Sequence, residues 1–156
     1  MTDVRATKAL VTGVAPMFLV DDVVASAEWY RDTLGFNIGE YYSDDHGHDE
    51  DGNDIPGSPS EVFFVIVDRD GHRLMLGKTV RRGLGVISNV SSKQYSCDTY
   101  FWCERVDEIF AHARASGAQF PQEPVTQFYG IREFQIRDLD GRVLTFGAPA
   151  AGGAEA

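Results

Sequence analysis

Apolar and polar positions follow two periods along this chain, and the changes from one to the other mark out its elements. Pro16 to Val20 is a short apolar run of strand length. Asp21 and Asp22 follow as candidate N-caps. Val23, Ala27, Tyr30 and Leu34 then recur at helical spacing as far as Gly35, a natural C-terminal cap. Phe36 to Tyr42 reads as a second strand and Glu61 to Val67 as a third. Arg69-Asp70-Gly71 reads as a hairpin turn into a return strand, His72 to Gly77. The order then recurs: a strand from Asp98 to Cys103, and a helix with Val106, Ile109, Phe110 and Ala113 on one face that ends at Gly117. A short strand near Ala118 to Phe120, a strand from Arg132 to Arg137, a turn at Leu139-Asp140-Gly141 and a last strand from Arg142 to Phe146 complete it.

The two halves align with an offset of roughly 82 residues, each reading β-α-β-β-β, so the chain is an internal repeat. The expected fold is α+β. One domain over 14–148 is built from a module at about 14–78 and a second at about 97–148. Each module is too small to close a core alone, so the two must pack together or pair with a second chain. Outside this plan lie an N-terminal arm, 1–13, with its apolar part at Ala9-Leu10-Val11, and a small-residue tail, 149–156, expected to fray. The loop from Ser43 to Ser60, rich in acids, Gly and Pro, also falls outside; at that length it reads as functional or disordered.

Composition adds little to this picture, but charge adds something. The formal net charge of −10 argues against nucleic acid and is compatible with a cationic ligand. Part of the imbalance is local: Asp44, Asp45, Asp49, Glu50, Asp51 and Asp54 share the one loop. No apolar run approaches the ~20 residues a membrane helix needs, and the first ten residues show no signal-peptide core. A membrane partner is not expected, and cytoplasm is the default location. Cys97 and Cys103, placed on one strand, would stand roughly 20 Å apart, too far to bridge, and read as reduced, mostly buried thiols.

Two segments resemble a known family. Ala15-Pro16-Met17-Phe18-Leu19-Val20-Asp21-Asp22, continued to Tyr30-Arg31-Asp32-Thr33-Leu34-Gly35-Phe36, is similar to the opening of the vicinal-oxygen-chelate superfamily of glyoxalases, bleomycin-resistance proteins and dioxygenases. Tyr129-Gly130-Ile131-Arg132-Glu133-Phe134 with Asp138-Leu139-Asp140-Gly141 resembles the closing motif of the bleomycin-resistance branch. The resemblance implies a curved mixed sheet around a cleft. It also implies, in metal-dependent members, a His, His and Glu set reaching into that cleft from the first strand of each module and from the last strand. Ala15, Asp98 and Thr145 stand at those positions, so three ligands are not available and no metal or other cofactor is expected in the cleft. Because each module lacks a complete core and the apolar Ala9 to Val11 of the arm needs cover, a symmetric homodimer is expected, with the arm crossing or bordering the interface. The resemblance implies a ligand cleft at such an interface.

Strand parity then names candidate binding residues. If Asp98 faces the cleft, so do Tyr100 and Trp102, while Phe101 and Cys103 face the helices. Met17 and Leu19 accompany Ala15, and Val143 accompanies Thr145. Phe128 and Tyr129 belong to the loop before the last hairpin. Asp98, Tyr100, Trp102, Phe128, Tyr129, Met17 and Thr145 are thus expected to line a pocket for a flat, positively charged guest, since aromatic faces attract cations by ~0.5–2 kcal/mol each. A buried carboxylate needs a partner, so Asp98 is expected to stay wet or to pair with Arg132 or Arg137. The resulting expectation is a metal-free binding protein that sequesters an antibiotic or another aromatic or cationic compound, with no catalytic residue. The rival is a metal-dependent lyase, isomerase or dioxygenase of the superfamily with a non-standard site. His46-Gly47-His48, among its carboxylates, reads first as a solvated loop and second as a loose metal site. The acidic loop is a candidate mobile lid. His72 reads as exposed and His112 as partly buried beside its helix's apolar stripe. Gly83-Leu84-Gly85 reads as a loop.

Overall fold

The computed structural model describes residues 10–79, 89 and 97–151. Met1 to Ala9 of the arm, the Gly83-Leu84-Gly85 loop and the end of the tail lie outside the described residues. In the first module β1 (Met17–Val20) leads to α1 (Val23–Leu34) and then to β2 (Asn37–Ile38), β3 (Tyr42–Asp44), β4 (Glu61–Arg69) and β5 (His72–Lys78). In the second, β6 (Thr99–Trp102) leads to α2 (Val106–Ala115), β7 (Gln119–Thr126), β8 (Ile131–Arg137) and β9 (Val143–Pro149). The sheets have matching plans. One runs β1-β5-β4-β2 with β3 also on β4, the other β6-β9-β8-β7, and in each the first strand lies parallel to the last. This is the expected α+β repeat.

Helix α1 forms where the pattern places it, for reasons visible locally. The Asp22 carboxylate accepts from the Ala25 amide at 2.9 Å, a cap worth about 1 kcal/mol. Gly35 closes the helix at φ 71°, a conformation that glycine adopts without strain. The buried stripe Val23, Ala27, Tyr30 and Leu34 faces Val65 and Val67 of β4 and Leu74 and Leu76 of β5 in one shared core. On the other side that core contains Phe134, Ile136, Leu144 and Phe146, with Phe101 stacked on Phe146. Neither module closes this core alone, in line with the small size of each.

Several boundaries differ from the sequence reading. Phe36 to Tyr42 is not one strand: it breaks between β2 and β3, where the Gly39 amide donates to the Ile66 carbonyl and a Cβ would sit 2.7 Å from that oxygen. The short strand near Ala118 to Phe120 is instead the eight-residue β7. Pro121 and Pro124 masked it. Proline cannot donate to a ladder, but β7 is the edge of its sheet, with register shifts along its length, and there proline is tolerated. The strand expected over Asp98 to Cys103 is Thr99–Trp102, and the last strand starts at Val143 and runs to Pro149. The acidic loop carries internal structure of its own, with a β-bridge between His48 and Asp54. Cys97 and Cys103 are only half-buried and Cys97 precedes the strand; burial pushes the Cys103 thiol up, which keeps it a poor nucleophile. His112 is exposed, its ring nitrogen 3.0 Å from the Asp32 carbonyl.

The turn after β8 clasps the two modules. Asp138 accepts from the Tyr30 hydroxyl at 2.9 Å, and Asp140 accepts from the Ser26 hydroxyl at 2.9 Å and the Asp21 amide at 3.2 Å. Arg142 donates to the Leu19 carbonyl at 2.7 Å and lies 4.8 Å over the Phe18 ring. Burial raises both the Asp138 carboxyl and the Tyr30 hydroxyl above their ordinary ranges.

Candidate binding face

The site is built on the face of the second sheet that points away from the core. Along β9, Leu144 and Phe146 pack inward, so Val143, Thr145 and Gly147 point to the other side. On β8, Phe134 and Ile136 are buried inward, which turns Glu133 and Gln135 outward beside Gly147 and Thr145, their register partners. On β6, Phe101 stacks into the core and sends Tyr100 and Trp102 to the same face, with their rings 4.8 Å apart.

Glu133 is the centre of this face. It is 6% exposed, yet its two carboxylate oxygens are separately occupied: Oε2 accepts from the Tyr100 hydroxyl at 2.7 Å and Oε1 from the Tyr129 hydroxyl at 2.6 Å. Charge-assisted bonds of this length are among the stronger ones a protein makes. The Tyr100 hydroxyl is raised well above its ordinary range by burial and by this bond. The bond to Glu133 is the main cause that pushes Tyr129 up to about 12. Both phenols therefore remain donors throughout the neutral range.

Two local devices set this geometry. The β7–β8 connection is a tight turn in which the Gly130 amide donates to the Gln127 carbonyl and Gly130 takes φ 80°. The turn folds Tyr129 back over Glu133 and leaves Phe128 at its tip, 98% exposed and edge-on to Tyr129. The second device is Gly147, where a Cβ would collide with the ring and hydroxyl of Tyr100, so only glycine lets Tyr100 lie flat across β9 to reach Glu133.

The structure thus brings together Tyr100, Trp102, Tyr129 and Thr145, with Phe128 at the rim. Trp102 is 70% exposed, whereas Thr145 is buried and accepts from Gln135 at 3.5 Å. Two expected residues stand elsewhere. Met17 belongs to the corresponding face of the first sheet, half exposed. Asp98 precedes β6, and its carboxylate is taken by backbone, accepting from the Val143 amide at 2.9 Å and from the Asn89 amide. It pairs with neither arginine, because Arg132 makes a two-point ion pair with Asp107 and Arg137 donates to the Gly141 carbonyl. A carboxylate that can satisfy two nearby amides needs no cation. Glu133 was the residue missed. Its signal was present, since alternation with Phe134 and Ile136 assigns it to the outer face, but an acid on a strand reads as solvated until its partners are known.

Beside this face a groove of ≈ 930 Å³ is lined by Tyr100, Trp102 and Arg105 of the second module and by Asp70, His72 and Arg73 of the first. The positions that the resemblance matches to metal ligands do not offer an ion three free donors. The Ala15 methyl has no donor atom, Asp98 is engaged by amides, and Thr145 offers a buried hydroxyl.

The repeat, the parallel closure of each sheet and the outward face define a class, and the chain belongs to the Glyoxalase/Bleomycin resistance protein/Dioxygenase superfamily, whose family model matches residues 14–146. Among solved structures it is similar to TioX from Micromonospora sp. ML1, at TM-score 0.60 and 19% identity over 90% of this chain and 98% of that one. It is similar also to TnmS3, an antibiotic binding protein from Streptomyces sp. CB03234, at TM-score 0.58 and 16% identity over 91% and 100%. A glyoxalase-related enzyme from Clostridium phytofermentans gives TM-score 0.60 and 17% identity over 90% and 97%. At such identities the likeness is one of fold. No curated protein matches the chain. No helix among the described residues is long and apolar enough to cross a membrane.

Proposed function

We propose that the chain is a binding protein of this superfamily. It would hold an aromatic, cationic small molecule, an antibiotic among the candidates, on the Tyr100, Trp102 and Tyr129 face without transforming it. The observation that carries this reading is Glu133, a nearly buried carboxylate fixed by two tyrosine hydroxyls beneath an exposed tryptophan. The arrangement gives a flat guest aromatic surfaces to stack on and gives its cation a negative charge below them. Both oxygens of Glu133 are already engaged, and Ala15, Asp98 and Thr145 do not offer three free donors, so binding needs no cofactor on this reading. TnmS3 supports it by analogy, as an antibiotic binding protein of the same fold. The reading extends to a cytoplasmic location and to a homodimer, the latter supported by Leu10 and Val11 of the arm, Val14 beside it and Met17 and Leu19 of β1, all left exposed or half exposed. The acidic 43–60 segment would attract the cationic guest.

The test is a fluorescence titration of the purified protein with a panel of cationic aromatic compounds, bleomycin among them, against neutral aromatics of equal size. Saturable binding of cationic members is expected, weakened about fivefold or more in Trp102→Ala, the equivalent of ~1 kcal/mol. A ligand bound equally well by Trp102→Ala overturns the pocket assignment. An ion held by Asp98 and two further protein ligands would favour the enzyme instead.

A further inference from the structure

We propose that the hairpin at 46–54 is a divalent-metal site, independent of the aromatic face and of the family's metal positions. A borderline transition-metal ion of the zinc, nickel or cobalt kind would be its ligand. The Nε2 atoms of His46 and His48 stand 3.0 Å and 3.2 Å from the same oxygen, Oδ1 of Asp54. The three ligand atoms all lie within 4.8 Å of one another, and among the described residues this is the one such group of three His, Cys, Asp or Glu. Ligands at ~2.0–2.1 Å from a tetrahedral ion are about 3.3 Å apart. The two histidine–aspartate separations are close to that value, and the imidazole nitrogens, within 4.8 Å of each other, would draw together around an ion. Asp44 lies outside that group of three but adjoins it, its Oδ2 3.6 Å from His48 Nε2. Two imidazoles with carboxylates suit zinc, nickel or cobalt, whereas calcium and magnesium prefer oxygen alone.

The backbone presents this set on a built turn. His48 and Asp54 form a β-bridge, the Asp49 amide donates to the Asn53 carbonyl and the Ile55 amide to the Gly47 carbonyl, both at 2.9 Å. Ser58 fastens the base, its hydroxyl accepting from the Gly47 amide at 2.6 Å and donating to the Ile55 carbonyl at 2.7 Å. Alternation carries the two histidines to one side of the strand and spans Gly47. Charge is the second, independent support: Asp44, Asp45, Asp49, Glu50, Asp51 and Asp54 occur between 43 and 60 with no lysine or arginine among them. A bound dication would offset that accumulation of negative charge.

The experiment uses the full chain, stripped with a chelator and titrated with Co²⁺ by visible absorption and with Zn²⁺ by calorimetry. One ion per chain is expected at micromolar affinity or better, with cobalt bands of tetrahedral intensity. His46→Gln, His48→Gln and Asp54→Asn should each weaken binding at least about tenfold. His72→Gln and His112→Gln, which change the remaining histidines, should leave it unchanged. The hairpin lies outside the hydrophobic core, so all five variants should melt cooperatively, and that is checked by circular dichroism. Absence of saturable binding below about 100 μM, or equal loss in the His72 and His112 variants, overturns the proposal.

Discussion

The outward faces of the two sheets occupy equivalent positions in the repeat and carry opposite chemistry. In the second module the face holds Tyr100 and Trp102 from the first strand, Glu133 and Gln135 from the third, and Thr145 and Gly147 from the last. In the first module the same places hold Met17 and Leu19, Phe64 and Ile66, and Met75 and Gly77. The glycine device is shared: a Cβ at Gly77 would collide with the end of Met17, as one at Gly147 would with Tyr100. A first-strand side chain lies across the last strand in both modules, but in one it is a thioether against apolar neighbours and in the other a phenol reaching a carboxylate. The backbone plan therefore supplies two platforms and leaves their chemistry to the side chains, which is why membership of the family does not define an activity. The polar face satisfies itself through Glu133. The apolar face leaves Met17 and Leu19 half exposed.

Alanine at the two glycines should separate the platforms most sharply. Gly147→Ala forces the rigid Tyr100 ring off β9 and breaks its bond to Glu133, at a cost of about 2–3 kcal/mol in urea unfolding and with loss of ligand binding. Gly77→Ala meets the end of a flexible methionine and should cost less than about 1 kcal/mol. Equal costs would show that Tyr100 is not fixed by its contact with Gly147.

Removing one donor from Glu133 is the next test. Tyr129→Phe leaves a carboxylate oxygen without its phenol and should destabilise the chain by about 1–2 kcal/mol. Glu133→Gln should bring the Tyr129 titration down from about 12 toward the ordinary tyrosine range, because the bond to the carboxylate is the largest cause of its elevation. Spectrophotometric titration at alkaline pH reads this directly, and an unmoved value would mean that Tyr129 does not rest on Glu133 in solution.

The smallest effect concerns the clasp that fixes the two platforms to each other. The Asp138 carboxyl is raised in the folded protein, chiefly by burial. Between its unfolded and folded values the folded state holds the proton more tightly, so this group's contribution is fully present below the unfolded value. It is lost as pH rises through the folded one. Asp138→Asn should flatten that part of the stability profile, with unfolding midpoints measured between pH 4 and 7 differing less than in the parent chain. A profile with unchanged slope would assign the pH dependence to other groups.

Much of this architecture was legible because burial imposes a period. The stripe at Val23, Ala27, Tyr30 and Leu34 and the alternation around Phe134 and Ile136 follow from having one dry side, and they placed both helices and the last hairpins. The misplaced pieces were those whose rule depends on neighbours. Pro121 and Pro124 argue against a strand until β7 is known to be an edge, and Gly39 breaks a strand only because the Ile66 carbonyl approaches it.

The residues that line the outer face were largely determined by the sequence itself, since parity sends Tyr100 and Trp102 opposite Phe101 whatever the rest of the chain does. What each does there was decided by tertiary structure. Asp98 became a cap for backbone amides because β9 brings the Val143 amide to it, and Glu133 became the centre because a turn returns Tyr129 and a glycine admits Tyr100. The Asp54 carboxylate met both imidazoles through a hairpin that no spacing rule specifies. Periodicity records which side of an element is dry, a property local to that element. A hydrogen-bond partner or a ligand set depends on distances between segments far apart in the chain, and those exist only once the chain has folded.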